Sequence, residues 1–158
     1  MRHAALLICL VLLAGCGFRL QGRLALPATL ATLQLDAADA QSDFTVALTR
    51  SLDASGAKRV PRAAADGAVV RILRDQVSEN VLSVDARNIP TDFELIYEVE
   101  VAVRADGKDL MPAEPFMVSR IYSFDERKML AKQREKDVLR EALARDLASV
   151  VLRRLASL

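Results

Sequence analysis

Alternation of apolar and polar side chains over residues 93–103 constrains the fold of this chain more than any other feature. One set of alternate positions is apolar: Phe93, Leu95, Tyr97, Val99, Val101 and Val103. The positions between them include Glu94, Glu98 and Glu100. A period of two residues places these two sets on opposite faces of a β-strand. The sequence therefore predicts a half-buried strand with one packed face and one face in water.

A hairpin is expected to follow this strand. Asp106-Gly107 is a turn signal, because both central residues of a type I′ turn need positive φ. The returning strand is predicted over 116–124, with one apolar face of Phe116, Val118, Tyr122 and Phe124 that Arg120 interrupts. Pro112 and Pro115 precede it, which predicts an irregular edge in the early part of this arm.

Two further strands are expected earlier in the chain. Residues 69–84 form a long, β-branched run whose apolar face switches partway, and a bulge near Asp75–Gln76 would explain the switch. Asn88-Ile89-Pro90 then breaks the strand and forms a loop. Leu30–Leu35 alternates modestly and suits a short first strand.

Two helices complete the pattern. Ser42 is a predicted N-cap with Asp43 in the first turn, and Gly56 can end the helix. Asp125 can cap a second helix over residues 126–156. Each helix has an apolar face at three- and four-residue spacing: Phe44, Ala47, Leu48 and Leu52 in the first, and Leu139, Leu143, Leu147, Val150, Val151 and Leu155 in the second. A membrane-surface helix is the alternative for the second, but its polar face carries both signs of charge, which favours packing on the sheet.

Together these elements predict an α+β fold, a two-layer sandwich of a four-stranded sheet packed against two helices. We expect one domain over residues 30–158, because the chain shows neither an internal repeat nor a low-complexity segment.

The N-terminus is that of an exported protein. A short basic start and an apolar run from Ala4 to Ala14 are typical of a secretory signal, and the run is shorter than the roughly 20 residues that span a bilayer. Leu13-Ala14-Gly15-Cys16 resembles the lipobox of bacterial lipoproteins. That resemblance implies a signal peptide at 1–15, N-acyl and S-diacylglycerol lipid on Cys16, and a lipidated linker at 16–29. By resemblance to lipoprotein sorting, Gly17 favours the outer membrane.

Composition argues against several functions. The signal peptide contains Cys9 and His3, so the mature chain holds no histidine and no cysteine except the lipidated Cys16. This leaves neither a Ser-His or Cys-His pair nor a histidine metal site, and no phosphate-binding glycine loop is present. Loss of Arg2 leaves 21 basic residues against 21 acidic ones, which gives no reason to expect a nucleic-acid partner. We expect no enzyme and no cofactor, although catalysis by paired carboxylates stays formally open.

Three segments of the sequence together resemble those of a known family. Cys16-Gly17-Phe18-Arg19-Leu20, Arg120-Ile121-Tyr122-Ser123-Phe124-Asp125 and Met129-Leu130-Ala131-Lys132, in this element order, resemble the lipopolysaccharide-assembly lipoprotein family LptE. The resemblance implies a protein anchored by its lipid to the periplasmic side of the cell outer membrane. It implies further that the protein sits as a plug within the β-barrel LptD, helps that barrel assemble, and binds lipopolysaccharide.

The same resemblance singles out basic residues. Arg87 and Lys132 resemble family positions in a loop and at the start of the last helix, and Arg120, Arg127 and Lys128 are further candidates. Lipopolysaccharide carries phosphates, which arginine and lysine bind well. For any single one of these residues a solvated surface charge is the simpler interpretation.

A free-standing lipid-binding periplasmic lipoprotein, a carrier, is the alternative function. A carrier needs a sizeable apolar cavity. The chain has no tryptophan, and its apolar stripes are only sufficient to cover one sheet.

Overall fold

The computed structural model describes residues 24–64, 67–123 and 129–158, with the side chains of 129–132 left out. A short 3₁₀ turn at Ala28–Leu30 precedes the first strand. The strands are β1 (Thr32–Ala37), β2 (Lys58–Arg59), β3 (Ala68–Val84), β4 (Pro90–Ala105) and β5 (Lys108–Ser123). The helices are α1 (Asp43–Ser55), between β1 and β2, and α2 (Met129–Ala156), which ends the fold.

The sheet has five strands in the order β2-β1-β3-β4-β5. The prediction of an α+β two-layer fold is confirmed, but the prediction of four strands is wrong. The additional strand, β2, is two residues long and pairs in parallel with Thr32 and Leu33 of β1. Two charged residues carry no apolar alternation, so no sequence pattern could have indicated this strand.

Strands β3, β4 and β5 form a long antiparallel meander. The Asp106-Gly107 turn is confirmed, because both residues have positive φ, 52° and 70°. The bulge in β3 lies at Leu73, between Ile72 and Arg74, rather than near Asp75–Gln76, and a second irregularity lies at Leu82.

Some strand boundaries differ from the predictions. The first strand starts at Thr32 rather than Leu30, because Leu30 closes the 3₁₀ turn. The last strand starts at Lys108 rather than 116, because its prolines lie on an edge strand, where a missing N–H is tolerated. The register shift between Val101 and Val103 confirms that the early part of this arm is irregular.

The core lies between one sheet face and the two helices. Leu95, Tyr97, Val99, Val101 and Val103 of β4 are all at most 2 % exposed, as the alternation predicted. The opposite face, which we call the open face, carries Glu94, Glu98 and Glu100.

Helix α1 begins and ends as predicted. The Ser42 hydroxyl accepts a hydrogen bond from the Thr45 N–H, and Gly56 has φ of 89° at the C-cap. The apolar face of Phe44, Ala47, Leu48 and Leu52 is buried.

Helix α2 is packed along only part of its length. Leu143, Leu147, Val151 and Leu155 are buried against the core, which confirms core packing over the membrane-surface alternative. Residues 133–142 of the same helix include no buried residue, and neither do residues 73–84 of β3. The domain therefore has a densely packed half and a half with little buried surface.

Candidate functional site

The site that the basic residues suggest lies in the half with little buried surface. We call it the distal end: residues 78–84 of β3, 90–96 of β4, 117–123 of β5 and the loop 85–89. Of the strands that the structure describes, only these three continue here, because β1 pairs with β3 no further than Ile72. The site is thus a surface formed by three strand ends and one loop, and not a cavity.

Arg87 lies at the tip of the loop between β3 and β4. Its side chain is 74 % exposed, and its Nε and Nη2 atoms donate to the Asp85 carboxylate at 3.1 and 3.0 Å. Asn88 has φ of 63°, a left-handed conformation that asparagine tolerates well. The loop thus presents a guanidinium with donors left over for a further acceptor.

Asp85 organises this loop. Its Oδ1 accepts hydrogen bonds from the backbone N–H groups of Ile89 and Arg87, at 3.0 and 2.8 Å. The bond from Ile89, followed by those from Arg87, holds the pKa of Asp85 below its ordinary value. Asp85 therefore stays ionised at neutral pH and balances the charge of Arg87.

Asp92 joins the ends of the three strands. It accepts hydrogen bonds from Ser83 of β3 and, at 2.8 Å, from Ser123 of β5. The Ser83 bond first, and then the Ser123 bond, lower the pKa of Asp92. The carboxylate is thus held in place as an acceptor by both neighbours of its own strand.

Apolar side chains lie exposed close to the loop. Val81, Leu82 and Val84 of β3 are each about half exposed, at 53 %, 49 % and 49 %. Arg87 follows Val84 by three residues, so a cation and an aliphatic surface occur together at this end of the sheet. That combination suits an amphiphilic anion better than a purely ionic ligand.

The N-terminal half of α2 is held on the distal end by a polar cluster. Lys136 pairs with Glu79 of β3, and Glu79 also hydrogen-bonds with Tyr122 of β5. Burial, followed by the bond to Glu79, raises the pKa of Tyr122 to about 12. The Tyr122 ring stacks on Phe93 with centroids 5.6 Å apart. This cluster fixes the helical turn that follows Lys132.

The other residues predicted for the site are not all seen beside Arg87. Lys132 lies in the first turns of α2, one turn before Lys136, and its side chain is not among those described. Cys16, Arg127 and Lys128 lie outside the described residues.

Arg120 does not join Arg87. It stands opposite Leu95, on the helix side of the sheet, about 17 Å along the strand from Pro90. Its Nη2 donates to Asp146 of α2 at 2.7 Å. An ion pair with the helix thus explains why a charge interrupts this apolar face.

Sequence reasoning missed the partners of these cations. Asp85, Glu79 and Tyr122 decide how Arg87 and Lys136 are held, yet only Asp85 carried a signal. An aspartate at the start of a turn bonds backbone groups two residues on. The pairs with Glu79 join positions more than 40 residues apart, which no local pattern shows.

The fold, the cation at the hairpin tip and the exposed aliphatic side chains define a class of protein: an α+β domain that presents a guanidinium beside an aliphatic surface. Solved structures share this fold. It matches rare lipoprotein B from Shewanella oneidensis with a TM-score of 0.68 and 31% identity, covering 80% of this chain and 94% of that one. An uncharacterized lipoprotein B from Nitrosomonas europaea matches with a TM-score of 0.73 and 24% identity, over 89% and 91% of the two chains.

The family model described as LptE, lipopolysaccharide-assembly, matches residues 30–155, and the chain belongs to this family. Relatives named LPS-assembly lipoprotein LptE agree. The one from Pectobacterium atrosepticum is 28% identical over 100% of this chain and 88% of its own length. The one from Yersinia enterocolitica is 27% identical over 98% and 77%. Neither helix, over the residues described, is long and apolar enough to cross a membrane.

Proposed function

We propose that this protein is an outer-membrane lipoprotein that complexes with an LptD-like β-barrel as its plug. In this role it helps the barrel assemble, binds lipopolysaccharide and aids its delivery to the outer leaflet. The observation that carries the proposal is the family match over residues 30–155, which spans nearly the whole described domain. The function needs no catalysis and no cofactor, and the lipid on Cys16 holds the domain on the periplasmic side of the membrane.

The distal end supports lipopolysaccharide as the ligand. Its phosphates would take the free donors of Arg87 together with Lys132, and its acyl chains would contact Val81, Leu82 and Val84. Asp85 already neutralises the charge of Arg87. The excess positive charge would therefore come from Lys132, Arg127 and Lys128. Arg120 contributes less, since it is paired with Asp146.

Reversal of charge tests the ligand. Purified protein with Arg87→Asp and Lys132→Asp should bind lipopolysaccharide about tenfold more weakly, since an exposed charge pair contributes about 0.2–1 kcal/mol and charge reversal replaces each attraction with repulsion. The matched control reverses two exposed arginines elsewhere, Arg50→Asp and Arg153→Asp, and should bind within about twofold of the wild type. If both variants lost lipopolysaccharide affinity equally, the loss would come from the change in net charge and not from a site at Arg87 and Lys132.

A mild-detergent pull-down from outer membranes tests the partner. We expect a β-barrel protein in equal amount. Recovery of this protein alone, folded and with bound lipid, would instead support the free-standing carrier.

A further inference from the structure

The outer edge of β5 is unpaired over residues 24–64, 67–123 and 129–158, which the structure describes. This strand is the last in the sheet, and β4 occupies its inner edge from Asp92 to Ala105. Among the described residues no backbone group hydrogen-bonds to its outer edge. Alternate N–H and C=O groups of a sixteen-residue strand therefore face outward, a pattern that another extended chain matches.

The two halves of this edge differ. The first half contains Pro112 and Pro115 and a register shift, each of which blocks strand addition. The second half, residues 116–123, has neither proline nor lysine, and it pairs with β4 in unbroken register from Val99↔Phe116 to Asp92↔Ser123. Only this half offers a regular edge.

The other free edge at the distal end is protected. Residues 73–84 of β3 have no outer neighbour within the part of the chain that the structure describes, and irregularities at Leu73 and Leu82 interrupt their pairing with β4. Charged Arg74, Asp75 and Glu79 lie along this edge, and Lys136 of α2 reaches Glu79. Bulges and charges are the devices that prevent edge pairing, and residues 116–123 carry no bulge.

Two of the exposed side chains of this half are apolar, and Ser119 lies between them on the same face. Met117 and Ile121 stand on the open face, opposite Glu98 and Glu94, and are 64 % and 67 % exposed. The charge in this half, Arg120, points to the helix side and is paired with Asp146. A strand added here would cover both apolar side chains without meeting an unpaired charge on β5.

A second copy of this chain is a poor occupant. An edge of eight residues is about 26 Å long and about 10 Å across. It would bury roughly 260 Å² on each copy, well below the ~800 Å² per partner of a stable complex. A β-barrel that encloses the domain would contact other surfaces as well, so the stability of that complex would not depend on the area buried at this edge alone.

We propose that an extended segment of the β-barrel partner adds to residues 116–123 of β5 as a sixth strand, with apolar side chains over Met117 and Ile121. This inference rests on the proposed function and names the surface that serves it. The main chain supplies affinity, and the two side chains fix the register.

Photocrosslinking tests the pairing in the complex purified from outer membranes. A photoreactive residue replaces Met117 in one variant and Ile121 in a second. If the segment pairs as a strand, both should crosslink to the barrel at positions about four residues apart in one extended segment. Crosslinks to unrelated parts of the barrel would overturn the proposal, and so would crosslinks between two copies of this chain.

A second variant tests whether the barrel segment binds to this edge of β5 or only lies near it. Met117→Lys with Ile121→Lys should lower the yield of the complex at least tenfold at unchanged melting temperature, because both side chains are exposed. Val138→Lys, at 62 % exposure on α2, is the matched control and should leave the yield unchanged. A barrel that co-purifies equally with both variants would overturn the inference alone. A barrel that never co-purifies with the wild type would overturn the proposed function itself.

Discussion

The backbone N–H of Phe44, in the first turn of α1, donates a 3.1 Å hydrogen bond to the phenolic oxygen of Tyr97. Tyr97 is 2 % exposed at the centre of β4, and its hydroxyl also hydrogen-bonds with Asp75. The first N–H groups of a helix have no partner within the helix. A side chain of the sheet therefore provides one of the caps of α1 and fixes where the helix begins.

Replacement of Tyr97 by phenylalanine should destabilise the protein by about 1–3 kcal/mol, because the Phe44 N–H then stays buried without an acceptor. Urea unfolding measures the loss. Tyr122→Phe is the control, because the bond it removes goes to Glu79 on the less packed half of the sheet. Equal stability of the wild type and Tyr97→Phe would show that water replaces the hydroxyl.

Both tyrosines of the chain should resist ionisation while the protein is folded. Burial raises the pKa of Tyr122 to about 12 and that of Tyr97 further above its ordinary value near 10. Between pH 10 and 12 the unfolded chain releases these protons and the folded one retains them, so stability should fall as pH rises. Absorbance at 295 nm checks this, since native protein at pH 10.5 should show little tyrosinate and urea-unfolded protein much more.

Truncation of the packed stripe of α2 should be costly. Leu147 is fully buried, and Leu147→Ala should destabilise by about 2–5 kcal/mol. Val138→Ala, on the exposed side of the same helix, should change stability by no more than about 0.5 kcal/mol. Thermal melts of the two variants and the wild type decide; unchanged melting of Leu147→Ala would contradict the buried stripe.

The N-terminal half of α2 should open more readily than the rest of the helix. Residues 133–142 bury no side chain fully and depend on pairs such as Lys136 with Glu79. Glu79→Gln should therefore raise amide hydrogen exchange several-fold in this half and leave residues 147–155 unchanged. Uniform acceleration along α2 would show that the helix opens as one unit.

Asp85 should compete with an anionic ligand for Arg87. Asp85→Asn keeps an oxygen for the backbone N–H groups of Arg87 and Ile89 but removes the charge. An exposed ion pair is weak because solvent screens it, so lipopolysaccharide binding should tighten by no more than about fivefold. Arg87→Asp should bind more weakly than the wild type. Weaker binding by Asp85→Asn would mean that loop geometry matters more than the freed charge.

Much of the fold follows from periodicity. The alternation of β4, the Ser42 and Gly56 caps and the stripe of α2 each arise from local physics, and each was predicted. The two-residue β2 was missed because its pairing depends on the position of β1, not on its own residues. The bulge of β3 was misplaced because a face switch shows that a residue is inserted but not which one.

Prediction of the site was less complete, because contacts between distant elements leave no local pattern in the sequence. Arg87 was singled out by resemblance, and the structure places it at an exposed tip. Its partner Asp85 lies two residues away and was within reach of turn chemistry. The pairing of Arg120 with Asp146 joins two elements of the fold, so the sequence alone could not distinguish this arginine from a ligand-binding one.

Asp92, which bonds Ser83 and Ser123, has a mechanical consequence. A load applied at the hairpin tip is shared among three strands in parallel instead of bending one hairpin alone. Arg87 is therefore carried on a loop whose base is tied by side-chain hydrogen bonds to all three strands. Since ordering costs subtract from affinity, ties of this kind at the end of a thinly packed sheet reduce the freedom that the loop has to lose in any contact it makes.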